Sequence, residues 1–464
     1  VSLDVYFNKD MRIIMSFLET TETLTIDPET ILDNGSRCLA QLAGNVASPF
    51  DMTQMQGIAR SLQYVKATDR DAPLEHLERK FNPVLHALTA NPGAQMMDYA
   101  RGKQDIIALG QGEGDSPTPD FICEAAVQAM RSGSTFYGPV LGIPDLRQGL
   151  SDYYGRIYDL YIPMERVFVT ASGSTAMHLS LAALVGKGDD VVAVTPIWKN
   201  LLGAVELTQA NTRQVSLEYD DQSDEWTLDL DKLFSAVTKR TRVILMVSPS
   251  NPTGWVASHE EIRAILDFAR ERGIWVLADE VYSRLVYDGV RAPSFLDVAR
   301  EDDLLLVVNS FSKAYAMTGW RLGWIVGPPI AEEKIRDVAL YNNLCLPSFA
   351  QFGAMAALER GEDFIRKQLD LWRSNRDLVV ERFKKMGNVR MSYPKSTFYA
   401  FFKVEGEDDC IALTMRLIDE AGVLLSPGIA FGKEAKGYLR LCFAVSEERL
   451  SEALDRIEKV LESR

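Results

Sequence analysis

The sequence predicts an α/β protein: a mostly parallel sheet in a large domain, a second and smaller domain after it, and a helical appendage ahead of both. Three observations carry this expectation. From about residue 104, short apolar or β-branched runs alternate with helical stretches, which is the order of a sheet covered by crossover helices. The runs between 167 and 326 are apolar along their length, as strands buried on both faces are. Beyond about residue 346 the pattern turns mainly helical, with late strands expected at 397–404 and 437–443. With 464 residues, 47% of them hydrophobic and 25% charged, the chain has ample material for a core, which excludes a disordered polymer, a fibrous repeat or a disulfide-stapled mini-protein.

Taken in order, the elements begin with the appendage, residues 1–80. Asp27-Pro28-Glu29 is a helix start: a capping carboxylate, proline at the first helical position, then an acid near the positive end. Ile31, Leu32, Cys38, Leu39, Leu42 and Val46 then mark one helical face, and Met52, Met55, Ile58, Leu62 and Val65 a second. Residues 68–73 read as a linker. The region holds 8 basic and 12 acidic residues and no recognisable chemistry, so a segment docking on the main body or on a second subunit is the simplest reading. Strands are expected next at 105–109, 167–170, 191–195, 242–247, 274–278, 304–308 and 322–326. Several end in loops rich in polar residues, Gly or Pro. In such sheets ligands bind outside the carboxyl ends of the strands, so those loops are where chemistry is to be sought.

Charge and composition narrow the function. With 65 acidic against 50 basic residues the net charge is −15, which repels nucleic acid while leaving room for a small anion held by a few arginines in a cleft. The five cysteines lie far apart without a CxxC pair, the pattern of reduced, mostly buried thiols in a cytoplasmic protein. The four histidines stand at no ligand spacing, so neither a metal site nor a serine-type triad is expected. Apolar runs stop at strand length, far short of a membrane span, and no secretory signal is evident.

The richest stretch runs from Asn309 through Ser310-Phe311-Ser312-Lys313 to Arg321. A lysine in isolation is most often a solvated surface charge. This one follows a buried strand between apolar and aromatic flanks, which desolvates the amine and lowers its pKa, as a Schiff-base nucleophile requires. Ser310 and Arg321 are donors suited to a phosphate. Upstream, Asn251-Pro252-Thr253-Gly254 ends one strand, and Asp279-Glu280-Val281-Tyr282 the next. An aspartate there can stabilise a protonated pyridine nitrogen, with Asn251 and Tyr282 donating to a phenolate oxygen on the same ring. Gly110-Gln111-Gly112-Glu113-Gly114 imitates a dinucleotide-binding turn, but Asp115 stands where the last glycine belongs and Pro117 and Pro119 delay the helix. His178, Trp320 and Trp324 read as packing residues.

This combination resembles the fold-type I aminotransferases, the class I and II family that uses pyridoxal 5'-phosphate (PLP), from about residue 80 to the C-terminus. The resemblance implies a large PLP-binding domain over 131–345 and a small α+β domain from 81–130 and 346–464. It matches Gly173-Ser174-Thr175 to a phosphate-cradling turn at a helix start. It matches Trp198 to the aromatic that stacks on the cofactor ring, with Asn200 at a spacing some members use. Tyr137 resembles the tyrosine that reaches the neighbouring subunit's cofactor phosphate, which implies a homodimer with composite sites. Arg440 resembles the arginine that binds the substrate α-carboxylate, and Gly112 the glycine beside it. Lys313 is then the Schiff-base lysine and proton shuttle, and Asp279 the partner of the ring nitrogen.

The implied reaction moves an amino group between an L-amino acid and a 2-oxo acid. Arg440 argues against decarboxylation, while β-elimination by a PLP lyase starts from the same proton and is the alternative. A regulator that fuses a DNA-binding segment to this fold is disfavoured by the acidic N-terminal region. The stretch 340–347 contains no arginine where members that take aspartate often have one, which leans the substrate towards neutral or aromatic amino acids.

Overall fold

The computed structural model describes residues 80–86 and 88–462. The helices expected in residues 27–65 and the linker at 68–73 lie outside the described residues. The strands are β1 (Ile107–Ala108), β2 (Val167–Thr170), β3 (Asp190–Thr195), β4 (Asn211–Ser216), β5 (Glu218–Asp220), β6 (Glu225–Thr227), β7 (Thr241–Val247), β8 (Trp275–Asp279), β9 (Leu305–Ser310), β10 (Gly323–Val326), β11 (Val389–Met391), β12 (Tyr399–Val404), β13 (Val423–Leu424), β14 (Ser426–Pro427) and β15 (Tyr438–Cys442).

Seven of them form one sheet in the order β2-β10-β9-β8-β7-β3-β4. The pairs from β9 through β4 are parallel, and β10 runs antiparallel to both its neighbours. Alternation of side chains along each strand explains why the runs are apolar throughout. Val243, Leu245 and Val247 of β7 join one core with Phe168, Leu277, Leu306 and Ile325. Ile244 and Met246 join another with Val169, Ala278, Val307 and Trp324. The first core is completed by helices Gly173–Leu184, Lys199–Leu207 and Ala331–Asn343, the second by Pro144–Tyr158, His259–Arg272 and Ser348–Arg360. Both faces of the sheet are covered, and its ends are left to the loops.

A second, antiparallel sheet has the order β11-β12-β15-β14. Two expectations change. The strand expected at 105–109 shrinks to β1, which pairs with β13 away from the main sheet. Asp105 adopts φ 57° and breaks the extended run before it starts. The edge strand β4 was not expected, because its exposed, polar sequence Asn-Thr-Arg-Gln-Val-Ser lacks the apolar signal; β3 supplies its pairing.

Candidate active site

The carboxyl ends of β2, β3, β7, β8 and β9 meet at one rim of the large sheet. The inverted strand β10 begins there too: Gly323 lies opposite Thr170 on one side and Ser310 on the other. The loops entering this rim carry most of the residues picked out by sequence.

Lys313 sits in the single helical turn Phe311–Ala314 that follows β9. That turn is capped by Ser310, whose Oγ accepts the Ser312 N–H at 3.1 Å and lies 3.1 Å from the Leu322 carbonyl. The Lys313 amine donates to the Gly112 carbonyl at 2.6 Å. Burial, helped by the charge of Arg440, lowers its pKa to about 8. Asp279, the last residue of β8, is 6% exposed; burial lifts its carboxyl to about 6, against the Val281 N–H it accepts at 3.1 Å and the charge of Lys313. Tyr282 receives a long contact from Asn251 Nδ2 at 3.4 Å. Its hydroxyl is 2.8 Å from that of Tyr399.

Arg440 enters from the second sheet, in the middle of β15 opposite Phe401 and Ser426. Its Nη1 donates to Asn251 Oδ1 at 2.8 Å and its Nη2 to the Gly110 carbonyl at 2.6 Å. Its Nε is buried without a partner, and the guanidinium lies over the rings of Tyr399 (4.2 Å) and Phe431 (4.8 Å). A buried cationic donor left unsatisfied is costly unless an acceptor arrives from outside the chain.

The helix Gly173–Leu184 starts at the same rim. Ser172 caps it, accepting the Thr175 N–H at 3.0 Å while held at φ 129°. Close packing explains Gly173, since a Cβ there would come within 3.2 Å of Val281 and 3.3 Å of Ser310. The phosphate-turn candidates Gly173, Ser174 and Thr175 therefore adjoin both the aspartate and the lysine loops. Arg321 takes φ 54° two residues before β10 begins, and its charge also depresses the Lys313 amine.

Trp198 is half-buried and precedes helix Lys199–Leu207; the adjacent Ile197 N–H donates to the Phe431 carbonyl at 2.8 Å. Two candidates stand apart from this group. Asn200 is exposed and accepts from Asn91 Nδ2 at 3.2 Å. Tyr137 is 85% exposed beside Phe136, whose carbonyl accepts from Ser348 Oγ at 3.3 Å. Of the residues read as packing, Trp324 is buried, whereas Trp320 lines a cavity of about 780 Å³ that Lys313, Gly112 and Arg321 also border. The four cysteines among the described residues are free thiols, Cys410 and Cys442 buried and Cys123 and Cys345 partly so. Among the described residues no group of acidic, His and Cys side chains could hold a metal ion, and no helix is long and apolar enough to cross a membrane.

Sequence reasoning missed Tyr399 and Phe431. Neither belongs to a local motif with a polar signature, and each reaches Arg440 through the pairing and packing of the second sheet.

The description "Aminotransferase class I and II" belongs to the family model that matches residues 104–457. An aspartate aminotransferase of Pyrococcus horikoshii is 33% identical over 371 residues, 79% of this chain and 94% of that protein. The aromatic-amino-acid aminotransferase 2 of Thermococcus litoralis is 33% identical over 374 residues, 80% of this chain and 95% of that one. The crystal structure of an aspartate aminotransferase from Thermotoga maritima superposes with a TM-score of 0.77 at 32% identity, covering 82% of this chain and all (100%) of that chain.

Proposed function

Since the chain belongs to the class I and II aminotransferases, we propose that it holds PLP on Lys313 and exchanges amino groups between a neutral or aromatic L-amino acid and a 2-oxo acid. The residues fit that cofactor on a specific observation: a lysine amine lowered to about 8 and a carboxylic acid raised to about 6 share one desolvated rim, beside a helix N-terminus. Bound there, PLP supplies an electron sink for the bond at the substrate's α-carbon.

The chain's own residues do the rest. Lys313 Nζ, with its pKa brought close to neutrality, is a nucleophile and then a general base that would take the proton from the substrate's α-carbon and deliver it to the carbon of the cofactor that bears the nitrogen. Asp279 Oδ holds a proton on the ring nitrogen; the cationic partner brings its carboxyl back to the ionised form. Asn251 and Tyr282 donate to the ring's phenolic oxygen. Ser310, Arg321 and the N–H groups at Gly173, Ser174 and Thr175 take the phosphate, where the helix N-terminus favours negative charge. Trp198 covers the ring face. Arg440 receives the α-carboxylate beside Gly112, its buried Nε finding the acceptor it lacks. The cavity wall of Ala126, Val127, Met130, Trp320 and Phe349 supports an apolar side chain, while Asn200 stays a further substrate contact on its spacing from Trp198 alone.

A homodimer belongs to this reading. Phe136, Tyr137 and Tyr341 are 83%, 85% and 88% exposed, aromatic side chains of the kind that association covers, with Tyr137 reaching the partner's phosphate site. Free thiols support a cytoplasmic location. The test is a screen of the purified holoenzyme against single amino acids with pyruvate or 2-oxoglutarate. Amino-group transfer to the oxo acid is expected, most rapid from neutral or aromatic donors. Pyruvate and ammonia formed without an acceptor would instead establish a lyase.

A further inference from the structure

Tyr399 occupies a position that the assignments above leave without a task. It is fully buried at the start of β12, and its hydroxyl stands 2.8 Å from that of Tyr282. A methyl group added at Gly112 would fall 2.3 Å from this hydroxyl and 3.8 Å from Lys313 Nζ, so the hydroxyl fills the space beside the lysine that only glycine leaves open. The Arg440 guanidinium lies over the same ring at 4.2 Å. One side chain thus touches the phenol assigned to the cofactor and the arginine assigned to the substrate.

We propose that Tyr399 is a positioning residue with two separable tasks: its hydroxyl orients and polarises Tyr282, and its ring carries Arg440. This rests on the PLP reading of the site. The hydrogen-bond inventory fixes the direction. Tyr282 has one proton, and if that proton is given to the ring oxygen, the Tyr282 oxygen is left to accept, and Tyr399 is the donor at 2.8 Å. A phenol that accepts a hydrogen bond donates more strongly, so Tyr399 strengthens the donation that stabilises the phenolate and thereby favours the unprotonated lysine nitrogen. The charged and titratable groups around the pair are Arg440, Asp279, Lys313 and Cys442, with Glu113 and Arg321 acting on Lys313. The ring's task is independent of the hydroxyl: a desolvated guanidinium gains from an aromatic face, and Phe431 alone cannot replace two faces.

Two variants divide these tasks. Tyr399→Phe keeps the ring and removes the donor. In the holoenzyme, the pH midpoint of the visible absorbance change is expected to rise by about half a unit, while the KM for amino acid and the calorimetric Kd for hydrocinnamate, a carboxylate without an amino group, stay within about twofold of wild type. Tyr399→Leu removes both, so the same midpoint rise should come with a hydrocinnamate Kd and amino-acid KM raised about three- to thirty-fold. Thermal unfolding of both variants checks that they fold; should Tyr399→Leu not fold, Phe431→Leu tests the aromatic support of Arg440 in its place. An unchanged absorbance midpoint in Tyr399→Phe overturns the first task, and unchanged carboxylate binding in Tyr399→Leu overturns the second. Arg440→Ala run in parallel separates this inference from its premise: if it binds hydrocinnamate as tightly as wild type, the site assignment itself fails.

Discussion

At the residue scale the reading turns on two groups whose burial opposes their usual protonation. Reduction of the holoenzyme with borohydride should fix the cofactor on Lys313, and peptide mapping that found the label elsewhere would overturn the assignment. Lys313→Ala should retain loose PLP binding and lose transamination by at least about a thousandfold, since nucleophile and proton carrier are one group. Asp279 has a second signature, in the apoprotein. Its folded pKa of about 6 lies above the ordinary value of 3.8. Between those values the folded chain keeps a proton that the unfolded chain has released, so stability falls as pH rises through that window, by about 2–3 kcal/mol in all. Asp279→Asn removes the ionisation. Its urea midpoint without PLP should exceed that of wild type at pH 8, and the difference should shrink towards pH 4. Lys313, Asp279, Asn251 and Arg321 were legible as candidates because each stands in a local stretch whose residue types already suit one chemistry. Tyr399 was not, since nothing local marks it; it meets Tyr282 across 117 positions where the chain after Tyr282 bonds the chain ahead of β12, Val286 bridging Ser396 and the Thr397 N–H donating to the Leu285 carbonyl.

At the scale of elements, the buried strands were legible from their uninterrupted apolar runs, and the loops that follow them from turn chemistry. Direction was not. The run that became β10 carries the same buried pattern as its parallel neighbours, and only the short connection from Ser310 shows that the chain turns back. That turn sets a tight junction. A Cβ at Gly323 would fall 2.6 Å from the Gly173 nitrogen and 2.7 Å from the Ser172 carbonyl carbon. Gly323→Ala must therefore push β10 away from the helix start, at a cost of about 1–3 kcal/mol. We expect PLP affinity to fall at least tenfold, measured by dialysis against free cofactor, with KM for amino acid much less affected. Equal losses in both would mean the helix start and the Arg440 region move together.

At the scale of the whole molecule, every candidate site residue lies at or beyond Gly112. Removing residues 1–75 should leave PLP binding and transamination within about threefold of the full chain, while solubility or dimerisation declines, as chromatography and light scattering would show. A truncated dimer that folds but cannot bind PLP would place part of the site in the removed segment. The inverted strand has a further consequence, for the order in which the molecule is built. Ser310 and Gly323 are cross-strand neighbours, so the corner bearing Ser310, Lys313 and Arg321 closes through a short local loop. The contact of Arg440 with Gly110 spans 330 positions. Loop-closure entropy makes the second closure about 3 kcal/mol harder than the first when nothing else has formed. During refolding, the half of the phosphate pocket borne by Ser310 and Arg321 is thus set by a local turn, while the half at Gly173, which needs Gly323 beside Thr170, and the arginine for the carboxylate both wait on distant closures.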